Sequence, residues 1–177
     1  MIEGCMEYSN DKKELYEEVV LQLKGLFEDC PHVIANLSNA SALLNQAMKE
    51  INWVGFYVME KGQLVLGPFQ GKPACVEIPI GRGVCGTAVK KDEIQLVKNV
   101  HEFPGHIACD SASNSEIVLP IHKDGKVWGV LDIDSPILGR FDEEDRDGLV
   151  QVVKVIEEML IHSGMVYYRS CRYRAKE

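Results

Sequence analysis

Apolar residues at Leu15, Val19, Leu23, Leu26 and Phe27 recur at three- and four-residue intervals between Asp11 and Asp29. That spacing lays them along one face of a helix, with Asp11 placed to cap its N-terminus. Pro31 ends the segment, because a proline disfavours helical geometry in the residue before it. A second helix is expected from Ser38 to Glu50, capped by Ser38 or Asn39 and carrying Leu43, Leu44, Ala47 and Met48. From residue 53 the pattern changes to short strands rich in aromatic and branched residues. Strands are expected at Trp53 to Met59 and Leu64 to Leu66, joined by a Lys61-Gly62 turn, and at Val76 to Ile80 and Ile94 to Val97. Two more, Ile117 to His122 and Lys126 to Ile133, flank Asp124-Gly125, a strong hairpin signal. A short helix fits Gly86 to Lys91. A long one starts after Asp142 with Leu149, Val152, Val153, Ile156, Met159 and Leu160 on its apolar face. The order predicts an α+β fold, an α/β sandwich in which a central, mostly antiparallel sheet of about six strands is flanked by helices. The terminal helices are expected to pack together on one face of the sheet.

Composition narrows the class. A chain of 177 residues with 46% apolar and 26% charged residues is the size of one domain with a substantial core. One domain is expected over 1–177, with its core at about 11–162 and a basic tail over 164–177. The first residues carry Glu3, Glu7, Asp11 and Glu14, unlike a secretory leader, and no apolar run approaches a membrane span. A cytoplasmic protein is therefore expected, with no membrane partner. The net charge of -8 gives no footprint for nucleic acid. The tail's Arg169, Arg172, Arg174 and Lys176, interleaved with Tyr167, Tyr168 and Tyr173, reads as a solvated, partly disordered charge run.

Six cysteines are too few and too scattered for a secreted disulfide framework, and a reducing compartment would keep them as thiols. Cys5, Cys30 and Cys171 lie near helix or chain ends. Cys75, Cys85 and Cys109 sit in Gly-Lys-Pro-Ala-Cys, Gly-Arg-Gly-Val-Cys-Gly and Gly-His-Ile-Ala-Cys-Asp-Ser-Ala-Ser. None of these forms a Cys-x-x-Cys pair, so a closed metal site is not expected and thiolate chemistry followed by disulfide formation is the better reading. The plain alternative is a small buried hydrophobe at each position. Cys109 falls in an aperiodic stretch from Asn99 to Ser115, a length that usually forms or covers a site. His101 and His106 in that stretch are candidates to stabilise a thiolate, or ordinary hydrogen-bonding histidines.

Asp132 and Asp134 alternate along one strand, so both point to one face, and Glu116 can join them across the Asp124-Gly125 hairpin. Solvent-exposed carboxylates are the plain alternative. Crowded carboxylates raise one another's pKa. At pH 7 an ordinary aspartate, pKa about 3.9, is protonated about once in a thousand, whereas at a pKa of about 6 about a tenth of it is the acid.

The strings Asn-Trp-Val-Gly-Phe-Tyr (52 to 57), Leu-Gly-Pro-Phe-Gln-Gly-Lys-Pro-Ala-Cys (66 to 75), Gly-Arg-Gly-Val-Cys-Gly (81 to 86), Phe-Pro-Gly-His-Ile-Ala-Cys-Asp-Ser-Ala-Ser (103 to 113), Ser-Glu-Ile-Val (115 to 118) and Gly-Val-Leu-Asp-Ile-Asp-Ser (129 to 135) resemble the free methionine-(R)-sulfoxide reductases, a stand-alone GAF-domain family. The resemblance runs from about Leu15 to Leu160. It implies a GAF-like fold and reduction of free methionine (R)-sulfoxide. Cys109 would be the catalytic thiol, Cys75 the resolving cysteine and Cys85 an auxiliary one. Glu116, Asp132 and Asp134 would bind substrate, and Trp53 and Tyr57 would wall its methyl group. It implies thioredoxin as external reductant, no bound cofactor or metal, and a homodimer. A GAF-type sensor that binds a small ligand or switches its thiols without turnover is the other reading. Asn99 stands where the family more often has aspartate, and the tail after about Ser163 has no evident counterpart.

Overall fold

The computed structural model describes residues 8–105 and 111–172, with side chains as far as Ser163. Helix α1 spans Lys12–Phe27, and Asp11 caps it by accepting a bond from the Glu14 N–H. Helix α2 spans Val33–Ala47, beginning five residues before the expected cap. Ser38 lies inside it and donates its hydroxyl to the Ile34 carbonyl one turn back, so the hydroxyl that looks like a cap is spent within the helix.

Six strands follow in one sheet: β1 (Trp53–Glu60), β2 (Gln63–Gly71), β3 (Glu77–Ile78), β4 (Gln95–Val97), β5 (Ser115–Lys123) and β6 (Lys126–Ser135). Their spatial order is β3-β2-β1-β6-β5-β4, and the paired strands are antiparallel. Strand β2 runs five residues beyond the expected Leu66, through Gly67 and Pro68. It does so because β3 pairs only with Leu64 and Val65, leaving the rest of β2 an edge where a proline costs no ladder bond. An extra residue between Leu66 and Phe69, set against Gly55 to Tyr57, absorbs the irregularity as a bulge. Strand β3 is shorter than expected, and the short helix α3 (Gly83–Lys91) starts three residues early.

The sheet buries both faces. Val54 and Phe56 of β1, Ile117, Leu119 and Ile121 of β5, and Leu131 and Ile133 of β6 pack against α1, α2 and the long α4 (Glu143–Arg172). A smaller cluster, with Tyr57, Leu64, Val118 and Val130, lies on the opposite face under α3. Each fully buried large aliphatic contributes about 1.5–3 kcal/mol, so the three-helix face dominates stability. Helix α4 continues to Arg172, which replaces part of the expected disordered tail by helix. None of the helices among the described residues is long and apolar enough to cross a membrane.

One buried acid fixes α4 against α1. Asp145, fully buried, accepts bonds from Lys12 Nζ at 2.7 Å, Arg140 Nη1 at 3.1 Å and the Tyr16 hydroxyl at 2.8 Å. Removing Asp145 leaves the buried Tyr16 hydroxyl and the nearly buried Arg140 guanidinium without this acceptor, while Lys12 keeps Asp142. Asp145→Ala should therefore lose about 3–5 kcal/mol in urea unfolding. A loss below about 1 kcal/mol would show that the network is not a main tie between α1 and α4.

Candidate active site

Residues directly opposite in paired strands share a face, and on the α3 side this gathers chemistry. Asp134 lies opposite both Trp53 of β1 and Glu116 of β5, and Asp132 lies opposite Gly55 and Val118. Trp53, Tyr57, Cys85, Ser113, Glu116, Asp132 and Asp134 line one pocket, with Lys72, Pro73 and Ala74 on its rim. Its enclosed part is about 30 Å³, room for about one or two waters. An amino acid therefore extends out of this space or displaces part of its wall.

The aromatic wall is built from β1 and β2. Trp53 stacks on Phe69 with ring centroids 5.2 Å apart and on Tyr57 at 5.9 Å. Gly55 makes this possible, since a Cβ there would collide with Phe69 and the Trp53 ring. Both polar handles are used. The Trp53 indole N–H donates to the Lys72 carbonyl at 3.1 Å, and the Tyr57 hydroxyl donates to the Cys75 carbonyl at 2.9 Å. These bonds strap the segment 72–75, with the Cys75 thiol, beside the acids.

Glu116 and Asp132 are 5% and 6% exposed, which overturns the solvent-exposed alternative for both. Burial pushes Glu116 well above the ordinary carboxylate range, and the charges of Asp132 and Asp134 push it further. Burial raises Asp132 to about 6, with hydrogen bonding to Cys85 and Glu116 working in the other direction. Two carboxyls this close do not both ionise easily, so the pair holds a proton near neutral pH. Cys85 Sγ lies 4.0 Å from Glu116 Oε1. Burial raises this thiol well above its usual range, and Asp132 and Glu116 add to the effect. The site thus offers a proton donor and a protonated thiol under an aromatic wall. Cys85, Glu116 and Asp132 also present three potential cation donors.

Of the residues singled out in the sequence, six meet in the pocket: Cys85, Glu116, Asp132, Asp134, Trp53 and Tyr57. Cys75 is a half-buried free thiol packed against the same cluster, while its neighbour Ala74 lines the pocket. Cys109 and His106 lie outside the described residues. His101 is exposed and bonds Asn114 Oδ1 through Nε2 at 2.8 Å, a structural tie that helps fix the start of β5. Asn99 caps the single turn Val100–Glu102 by accepting from the His101 N–H. Sequence reasoning missed Lys72 and Ser113. Ser113 is 4% exposed and accepts a bond from Asn52 Nδ2 at 3.0 Å. The Gly-Lys-Pro-Ala-Cys string signalled Lys72, the only cationic side chain among the described lining residues.

A six-stranded antiparallel sheet with helices packed on one face and a pocket under a short helix on the other is a GAF arrangement, and residues 13–160 match the GAF domain family. Protein YtsP of Bacillus subtilis (strain 168) is 56% identical over 154 residues, covering 86% of this chain and 94% of its own. The free methionine-R-sulfoxide reductase of Escherichia coli (strain K12) is 52% identical over 150 residues, covering 85% and 91%. The X-ray structure of free methionine-R-sulfoxide reductase from Neisseria meningitidis in complex with its substrate superposes with a TM-score of 0.87, with 44% identity over 90% of this chain and 97% of that one. The chain belongs to the GAF-domain family and, within it, to the free methionine-R-sulfoxide reductases.

The raised acid sets the sign of a pH effect. Asp132 keeps its proton to about pH 6 when folded, against an ordinary 3.8. The native state therefore binds more protons across that window, and this stabilising contribution is lost as pH rises through about 6. Asp132→Asn should melt higher than the native sequence at pH 8, by up to a few kcal/mol of stability, and show little difference at pH 4. Thermal melts at the two pH values check this, and a variant less stable at pH 8 would contradict the burial penalty.

Proposed function

We propose that this chain reduces free methionine (R)-sulfoxide to methionine, using its own thiols and thioredoxin as external reductant. The observation that carries the reading is the buried Glu116–Asp132 pair beneath the Trp53–Tyr57 wall, an acid held protonated where a small polar ligand can reach it. A sulfoxide sulfur accepts a nucleophile only when its oxygen is protonated or strongly hydrogen-bonded. Glu116, Asp132 and Asp134 supply the donor and leave a carboxylate for the substrate ammonium. The methyl group lies against Trp53 and Tyr57, and the substrate carboxylate meets the backbone amides of the glycine- and serine-rich loop.

The Cys109 thiolate attacks the sulfur of the protonated sulfoxide, and an S–S bond forms as the S–O bond breaks and the oxygen leaves as water. Water then attacks the Cys109 sulfur, breaking the S–S bond so that methionine leaves and Cys109 becomes a sulfenic acid. This assignment rests on the family motif and on position, four residues before the pocket residue Ser113. The Cys75 thiol then attacks the sulfenic sulfur, forming a disulfide and releasing water. Cys85, once deprotonated, accepts that disulfide by exchange, and a dithiol of thioredoxin restores the thiols and leaves oxidised.

Thioredoxin-coupled consumption of NADPH, assayed with separated diastereomers of free methionine sulfoxide, should proceed with R and not with S. Cys109→Ser should abolish it, and Asp132→Asn should lower kcat by roughly 100-fold or more, the usual share of a general acid. No turnover with either diastereomer, once thioredoxin is seen to reduce the protein, would favour the ligand-sensor reading instead.

Ion recognition at both ends of the substrate also predicts that an N-acetylated, amidated methionine sulfoxide is not turned over. Comparable rates for that analogue and the free amino acid would rule out the ion pairs as determinants of specificity.

A further inference from the structure

One donor atom each from Cys85, Glu116 and Asp132 lies within 4.8 Å of the others, and all three residues are buried. Sγ and Glu116 Oε1 are 4.0 Å apart. Asp132 Oδ1 has no hydrogen-bond partner, although the residue is 6% exposed. A buried oxygen left without a donor costs about 1–3 kcal/mol, more when charged, so Asp132 Oδ1 has a lone pair to give to a donor or a cation. Asp134 lines the same pocket opposite Glu116.

We propose that Cys85, Glu116 and Asp132 form a binding site for a thiophilic divalent cation such as Zn²⁺, and that the bound cation excludes substrate from the pocket. The exclusion rests on the proposed function, whereas the binding does not. Zinc bonds of about 2.3 Å to sulfur and about 2.0–2.2 Å to oxygen place tetrahedral donors about 3.3–3.6 Å apart. The present separations close to that range with shifts of about 1 Å. One thiolate with two carboxylates suits Zn²⁺ or Co²⁺, while Mg²⁺ and Ca²⁺ require more oxygen ligands. Three protein donors leave a fourth position open to the pocket, unlike the closed four-ligand site that the cysteine spacing argues against. Binding is an exchange of ions without electron transfer: the thiol proton and any proton held between the two acids go to solvent as the metal takes their lone pairs.

The test uses the full chain, reduced, freed of metal with a chelator and titrated with Co²⁺ under anaerobic conditions. A near-ultraviolet thiolate-to-cobalt charge-transfer band should saturate at one cobalt per chain and vanish when Zn²⁺ is added. The band should be lost in Cys85→Ser and kept in Cys75→Ser and Cys109→Ser. Asp132→Asn should weaken affinity about 10- to 100-fold. Circular dichroism checks each fold, and Asp132→Asn carries the test if Cys85→Ser does not fold. No band, a band that survives Cys85→Ser, or a band that follows Cys75 or Cys109 would overturn the site. In the turnover assay Zn²⁺ should raise the KM for methionine sulfoxide without lowering kcat, and a fall in kcat at constant KM would overturn the exclusion. A cobalt band that tracks Cys85 in a chain without turnover would leave the metal site standing and remove the proposed activity, while turnover without the band would do the reverse.

Discussion

The alternation of side chains along β5 and β6 is the constraint on which the rest of the structure depends. Once Ile117, Leu119 and Ile121 and their neighbours Leu131 and Ile133 enter the core under three helices, Glu116, Asp132 and Asp134 must face the other way. A slip of one residue in either strand would put carboxylates into that core and isoleucines into the pocket. The register is therefore held by the apolar face, and the chemistry on the other face inherits it. The apolar face also offsets the cost of burying Glu116 and Asp132, an unfavourable arrangement for stability that natural sites commonly retain for function.

From this frame the remaining parts of the pocket follow by short-range bonds. Gly55, opposite Asp132, leaves the space into which the Trp53 ring and Phe69 close. The rings then hold the backbone of the Cys75 segment through two hydrogen bonds to its carbonyls. Asn52, one residue before β1, reaches Ser113 two residues before β5. Trp53 and Tyr57 thus supply both a wall and a fastening for the segment 72–75, so the Cys75 thiol lies against a rigid surface.

Much of this was legible because periodicity reports which face a residue occupies. The three- and four-residue spacing located α1 and the start of α4, and Lys61-Gly62 and Asp124-Gly125 located two hairpins. Alternation alone placed Asp132 with Asp134. The misplaced boundaries have local physical causes. Ser38 resembles a cap but satisfies a carbonyl inside α2, and Gly67-Pro68 resembles a strand break but lies on an edge. Other features have no sequence signature. Bonds from Trp53 and Tyr57 to backbone carbonyls are independent of the accepting side chain, and Ser113 meets its partner Asn52 only through folding of distant segments. The near-complete burial of Glu116 and Asp132, which separates a reactive acid from a solvated one, also depends on what covers the sheet.

The same burial divides the labour among the cysteines. A thiol enclosed beside two acids is held protonated, because its anion would face both low polarity and like charge. Cys85 is thus poorly placed to make the first attack, which needs a thiolate, and the proposed chemistry gives that step to Cys109. Thiol–disulfide exchange also needs the attacking sulfur as its thiolate, so Cys85 must give up its proton before it can receive the disulfide. A divalent cation reverses the electrostatics. With two positive charges between Sγ and the carboxylates, the environment that opposed the thiolate favours it, and acids that repelled one another become ligands of one ion. The anionic character that makes the pocket a proton donor in the absence of metal is therefore also what opens it to a metal.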